Sequence, residues 1–536
     1  MYRTEFTYNL SEAPAAIQFQ ACSFYCRVWV NGVEIGDHRA GGYVAFALNV
    51  PMSAAAKDGS DSNELFVLAD NRFNSTTAPM HTGGDFWHFG GIMRSVELHA
   101  LPAPQSNSPG GFPWRAYALP ASMTSVNVSV QLTDTSFNGD VNLSIGFDNG
   151  PPVLYGAQAV NGSVDIGTID VPQPRAWSTT DPQLHIVQVE LNGASVIERF
   201  GLRQFGVDNE TARLTLNGEV IKLVGWNHHT QWPNTSASPT DDQLDADIKL
   251  LQRGGANYVR GAHYPQDPRW LDRLDEAGMV MWSETLGPGV SVDNTTDPVF
   301  MSFQKQQLNE MIDNAMNHAS IMTWGWFNEG PSDKDDACPA YQACADIANA
   351  RDPTRFTTWA SDKNLHDVCF EAASLISFNN YPAWYTSGEP AETWNNFANS
   401  VHAGSVKGTI GKPFVISETG AGGIYEWSHN ASAEKWTLAF QTQIIIEDVE
   451  TALANDNVSG ITLWHFFDFK TNDATENNTH CDYIPDVYPP TCAYINVSSG
   501  RPGGENHKGV IDFWRREKPA YQAVAAKYNA TKSGKD

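Results

Sequence analysis

The sequence predicts a multidomain protein: two N-terminal β-sandwiches followed by a (β/α)8 TIM barrel. Three observations carry that reading. Short alternating apolar runs, broken by Gly, Asn and Pro, fill roughly the first 200 residues. Beyond about residue 205, short apolar runs alternate with longer helix-like stretches. Eight such strand-like runs then follow one another to the end, the pattern of a parallel barrel with helical crossovers. The expected modules are residues 1–102, 103–204 and 205–536.

In the first module the strand-like runs start near Arg27, Gly42, Glu64 and Ser95, and Asn31-Gly32 between apolar runs is a hairpin signal. A Pro-rich linker, Leu101-Pro102-Ala103-Pro104, leads to a second set of runs starting near Ser125, Val141 and Gln183. In the third module strands are expected at 221–226, 257–262, 279–283, 321–327, 356–360, 375–378, 414–417 and 461–467. Helices are expected at 242–253 and 268–277, with acidic or Ser starts and Gly ends, and a closing helix at 518–528.

Composition narrows the class. With 34 Lys and Arg against 61 Asp and Glu, the net charge of −27 repels phosphate backbones, so nucleic acid is not expected as a partner. No apolar run reaches the roughly 18 residues of a membrane span, so no membrane partner is expected. The N-terminus lacks the apolar core of a signal peptide. Yet Asn-x-Ser/Thr sequons begin at Asn9, Asn74, Asn127, Asn142, Asn161, Asn209, Asn234, Asn294, Asn430, Asn457, Asn477, Asn496 and Asn529. That density predicts an extracellular, N-glycosylated protein whose signal has been removed. Seven Cys is an odd number, so at least one thiol stays unpaired within the chain. Cys481 with Cys492, and a pair from Cys338, Cys344 and Cys369, are candidate disulfides in such a compartment.

Barrel active sites lie at the C-terminal ends of the strands. There the run Trp324-Gly325-Trp326-Phe327-Asn328-Glu329 delivers a carboxyl group among aromatics, where desolvation raises its pKa and suits a proton donor. Glu418, ending Pro413-Phe414-Val415-Ile416-Ser417-Glu418, supplies a second carboxylate on the seventh strand. Two carboxylates facing each other across a barrel mouth are the equipment of glycoside hydrolysis. Glu329 reads as the acid/base and Glu418 as the nucleophile, kept ionised by Arg260 and Tyr381. Asn328 is placed to hydrogen-bond the sugar 2-hydroxyl.

These segments resemble glycoside hydrolase family 2. The likeness is carried by Asn257-Tyr258-Val259-Arg260-Gly261-Ala262-His263-Tyr264-Pro265, by Leu274 to Glu284, and by the run ending at Asn328-Glu329. It implies a jelly-roll sandwich, an immunoglobulin-like sandwich and a catalytic barrel, with Glu329 as acid/base and Glu418 as nucleophile. It also implies a sugar subsite lined by His229, His263, Tyr381 and Trp464, and an active-site contribution from Asp85 in the first module. Asn506-His507-Lys508 resembles the Asn-x-Lys motif with which β-glucuronidases of the family hold a substrate carboxylate, and the segment from Asn379 to Tyr385 resembles theirs as well. An ammonium and an amide donor are physically suited to a carboxylate, which a neutral hexose does not replace.

The expected activity is therefore retaining exo-hydrolysis of terminal β-D-glucuronic acid from a glucuronide or related glycoside. β-Galacturonidase, β-galactosidase and an inert carbohydrate-binding protein are the alternatives; the survival of both carboxylates argues against the last. The resemblance implies no cofactor and no metal; Asp333, Asp335 and Asp336 read as a solvated loop, and a homo-oligomer stays open. Against the family pattern, either strands upstream of the first sandwich are missing or that sandwich is shortened at its N-terminal edge, and Gly261-Ala262, His465 and Phe467 depart from the pattern too.

Overall fold

The computed structural model describes the chain except residues 40, 73–84, 103–110, 426–433, 472–478, 483–490, 495–500 and 533–536. Parts of the Pro-rich linker and four of the sequons, those of Asn74, Asn430, Asn477 and Asn496, thus lie outside the described residues. So do the side chains of Cys481 and Cys492, although their strands, Thr479–Asp482 and Thr491–Tyr494, pair antiparallel.

Two sheet-rich modules precede a barrel, as the sequence predicts. In the first, a four-stranded sheet containing Tyr2–Thr7, Tyr25–Val30, Val33–His38 and Ser62–Asp70 faces a three-stranded sheet of Ala15–Phe19, Phe46–Val50 and Val96–Ala100. Period-two alternation puts Cys26, Val28 and Val30 into a core with Ile17, Phe19 and Val50. The second module is one seven-stranded antiparallel sheet. It curls until its edge strands, Pro113–Pro120 and Ala194–Phe200, meet around a core of Val128, Leu143, Val187 and Val189.

The barrel strands are Leu223–Asn227, Tyr258–Gly261, Val280–Glu284, Ile321–Gly325, Phe356–Thr358, Ile376–Asn379, Phe414–Glu418 and Gly460–Leu463. The ladders between them are parallel, in the cyclic order 5-4-3-2-1-8-7-6. The seam between strands five and six closes through an isolated Ser361–Phe378 bridge, with the Asn379 amide donating to Ser361 O at 2.8 Å. Helix Asp241–Arg253 starts at a Thr240–Gln243 capping box. Helix Pro268–Ala277 starts at Asp267 and stops at Gly278, whose left-handed φ of 66° any side chain would strain.

Strands four and eight end earlier than the sequence suggests. The fourth stops at Gly325, where an added Cβ would lie 2.3 Å from the Trp282 indole nitrogen. Left-handed φ values of 52° at Phe327 and 55° at Glu329 then turn the chain inward. Glu329 therefore sits on a tight turn anchored by its own amide, which donates to Ala360 O at 2.8 Å, and not on the strand itself. Likewise Trp464 follows the eighth strand instead of belonging to it.

Barrel and first module share one apolar core: Phe24, Tyr43, Val44, Phe86 and Met93 cluster with barrel residues such as Leu286 and Trp464. Buried Arg94 donates to Tyr43 O at 2.7 Å and across the junction to Pro265 O at 2.7 Å. Bridges Cys22–Cys26 and Cys338–Cys369 are formed and Cys344 is free and buried. No described helix is long and apolar enough to cross a membrane.

Candidate active site

At the C-terminal mouth of the barrel a cavity of about 210 Å³ is lined by Asp85, His263, Pro288, Gly289, Asn328, Glu329, Tyr381, Tyr385, Glu418, Trp464, Arg501 and Lys508. Every module but the second contributes to it. A larger cleft, about 500 Å³, opens where the second sandwich meets the barrel. It holds the one described cluster with the makings of a cation site, Asp272, Asp275 and His318. Those groups already satisfy one another: Arg199 pairs with Asp272 at 2.5 Å, and Asp275 binds His318 at 2.7 Å and the Ser320 amide at 2.7 Å. Asp333, in the acidic loop, pairs with Lys334.

Both carboxylates face the smaller cavity. Glu418 ends the seventh strand, and its Oε1 accepts from Arg260 Nη1 at 2.6 Å and its Oε2 from the Tyr381 hydroxyl at 2.7 Å. Arg260 is fully buried, and Glu284 holds it from the other side with both oxygens at 3.0 Å. Burial pushes the Glu284 carboxyl up, but Arg260 and His263 outweigh it and keep the group below its ordinary range. Glu329 is treated in the opposite way. Burial first, then the negative charges of Glu418 and Asp362, push its carboxyl up to about 8, against a hydrogen bond from Asn379 Nδ2 at 2.9 Å. One carboxylate carries a guanidinium and a phenol; the other carries a proton at neutral pH.

A cationic corner closes the cavity. Lys508 is 2% exposed, and its ammonium donates to the Tyr385 hydroxyl at 2.6 Å, which also accepts from Arg501 Nη1 at 3.2 Å. Arg501 forms an ion pair with Asp85, and Asn506 Nδ2 donates to Asp85 at 2.8 Å. Burial and the neighbouring Arg501 lower the Lys508 pKa. Gly509 is obligatory behind it, since a Cβ there would lie 2.2 Å from Asp468 N.

The structure thus brings Asp85, His263, Asn328, Glu329, Tyr381, Tyr385, Glu418, Trp464 and Lys508 into one wall. Three expected lining residues sit behind it. His229 is fully buried and packs beneath Trp464 and Phe86, with its Nδ1 3.2 Å from the Tyr264 hydroxyl. Arg260 reaches the cavity through Glu418, Asn328 and His263, and Asn506 through Asp85 and the Lys508 amide. Sequence reading passed over Arg501, whose one available signal was a basic residue shortly before the Asn-x-Lys triplet; Glu284 and Asn379 were legible as polar groups at strand ends, but not as partners of Arg260 and Glu329.

Residues 207–481 match the family model described as glycosyl hydrolases family 2, TIM barrel domain. The chain is 28% identical to a β-glucuronidase of Bacteroides fragilis, over 96% of this chain and 72% of that one. It is 25% identical to a β-galactosidase of Thermoanaerobacterium thermosulfurigenes, over 93% and 68%. Among solved structures it is similar to a family 2 β-galacturonidase of Eisenbergiella tayi bound to galacturonate, with a TM-score of 0.85 at 25% identity, covering 99% of this chain and 89% of that one.

Proposed function

We propose, from the premise that this chain belongs to glycosyl hydrolase family 2, that it is a retaining exo-hydrolase of β-D-glucuronides. In the first half-reaction Glu418 attacks the anomeric carbon while Glu329 passes its proton to the leaving oxygen, so the C1–O bond breaks and a glycosyl ester forms. In the second, Glu329, now ionised, takes a proton from water; the water oxygen bonds to C1 and Glu418 departs as carboxylate. Elevation of Glu329 to about 8 supports the first role, and the hydrogen bonds from Arg260 and Tyr381, which fix both oxygens of Glu418, support the second. Asn328 and Trp464 would meet the sugar, with Arg260 and His229 holding the wall behind them.

The observation that carries the substrate class is the meeting of Lys508 and Arg501 at one corner of the cavity, where Arg501 is ion-paired with Asp85. A uronate carboxylate would complete that corner with charge-assisted hydrogen bonds, in place of the Tyr385 phenol. Galacturonides satisfy the same corner and are the second reading, favoured by the likeness to the galacturonate-bound structure. Turnover of p-nitrophenyl β-D-glucuronide, β-D-galacturonide and β-D-galactoside separates these readings. The glucuronide is expected to be cleaved best, with β-glucuronic acid as first product by NMR. Galactoside turnover equal to it would remove the carboxylate argument.

An extracellular, N-glycosylated protein is part of the proposal. It is supported by the two disulfides and by the nine described sequon asparagines, none of them buried. Deglycosylation of the secreted product should lower its mass.

A further inference from the structure

The guanidinium of Arg260 can only donate hydrogen bonds, and that fixes the polarity of a chain of buried amides leading away from it. Its Nη2 lies 2.8 Å from the Asn328 side chain, so the atom there is Oδ1. Asn379 approaches the same oxygen at 3.0 Å and must therefore present Nδ2. That nitrogen also donates to Glu329 Oε1 at 2.9 Å. The remaining atom of the Asn379 amide, Oδ1, is left facing Ser417 Oγ at 2.7 Å, which in turn must donate. Ser417 directly precedes Glu418, whose Oε1 holds the other end of Arg260 at 2.6 Å.

We propose that Ser417 is a positioning residue that acts through Asn379 to confine the proton of Glu329 to Oε2, the oxygen that Asn379 does not engage. The proposal rests on Glu329 as acid/base and deepens that reading. Glu329 Oε1 is committed as an acceptor, so a protonated Glu329 carries its hydrogen on Oε2, which makes no hydrogen bond to the described residues. After proton transfer, the same N–H stabilises the carboxylate that must activate water. The charged and titratable groups facing Glu329 are Glu418 on the seventh strand and Asp362 after the fifth, which raise its pKa, and Arg260 on the second, which lowers it. Tyr381, after the sixth, is held to Glu418. None of them is changed by substituting Ser417.

The test follows the Glu329 carboxyl by pH-dependent infrared difference spectroscopy, with the band assigned by its loss in Glu329→Gln, alongside pH profiles of kcat/KM. In Ser417→Ala the Asn379 amide loses its anchor, and the Glu329 midpoint should rise by about half to one pH unit, the equivalent of one weakened hydrogen bond. Ser417→Thr, which keeps the hydroxyl, should restore the wild-type midpoint. Asn379→Ala should show the same rise and serves if Ser417→Ala does not fold. Unchanged midpoints in folded Ser417→Ala and Asn379→Ala would overturn the proposal. The infrared midpoint needs no turnover. A wild type that cleaves no glycoside, yet shows the shift in Ser417→Ala, would sink the hydrolase reading and leave the relay standing.

Discussion

At the scale of the residue, burial and the negative charges of Glu418 and Asp362 raise the Glu329 carboxyl far above its ordinary range. Glu329 is protonated below about 8 and charged above it, so a general acid at this position loses competence as pH rises. The kcat/KM profile of the free enzyme should therefore carry an alkaline limb near that value, absent from Glu329→Gln. The same elevation has a stability consequence. Between the ordinary carboxyl range and about 8 the unfolded chain ionises Glu329 while the fold keeps it protonated, which progressively favours unfolding, so Glu329→Gln should gain thermal stability over that window and none below about pH 4. Melting curves at a series of pH values check the sign. Glu418→Gln should lower turnover by about 10⁴-fold or more while leaving the fold intact, because Arg260 and Tyr381 lose their anion and the reaction its nucleophile. Lys508→Ala should lower kcat/KM on a uronide by about 10- to 100-fold, the worth of a charge-assisted hydrogen bond, with neutral glycosides little affected. Equal losses on both substrates would make Lys508 a structural residue only.

At the scale of the element, the loops after the fourth and fifth strands hold Glu329 in place. Asp367 accepts from the Trp359 indole at 3.0 Å and from Ser361 Oγ at 2.7 Å, and it also takes a hydrogen bond from Ser332, three residues beyond Glu329. The Cys338–Cys369 bridge ties these loops together across a separation of 31 residues. Replacing both cysteines by Ser should cost about 2–4 kcal/mol of stability, measured by denaturant unfolding, and should lower kcat more than it raises KM, since the turn bearing the acid loosens. Strand existence was legible here from apolar runs between breakers, but strand ends were not. Residues 326 and 327 are as apolar as the strand before them, yet the ladder stops at Gly325 because its partners at Thr358 and Glu284 end there. Trp464 leaves the eighth strand for a similar reason: its amide donates to Thr419 O at 2.7 Å, next to Gly420, whose added Cβ would lie 2.4 Å from Trp464 O.

At the scale of the whole molecule, the first sandwich is part of the cavity wall and part of the barrel's core. Asp85 crosses to Arg501 and Asn506, while Phe86 packs on His229 and His263. Residues 205–536 expressed alone should expose that apolar surface and lose the Asp85 anchor; low solubility and no uronide turnover are expected, while solubility and full activity would show that the junction is dispensable. The amino-acid sequence by itself determined the fold class, the carboxyl pair Glu329 and Glu418 at the barrel mouth and the Lys508 motif, because each is written locally, as periodicity or as a residue at a strand end. Only the tertiary structure decided which groups reach the cavity and which stand behind it. His229, Arg260 and Asn506 moved behind the wall, and Arg501 moved into it. Such placements depend on side-chain reach and on donors and acceptors from four different strands meeting at one point, and no stretch of sequence contains that meeting.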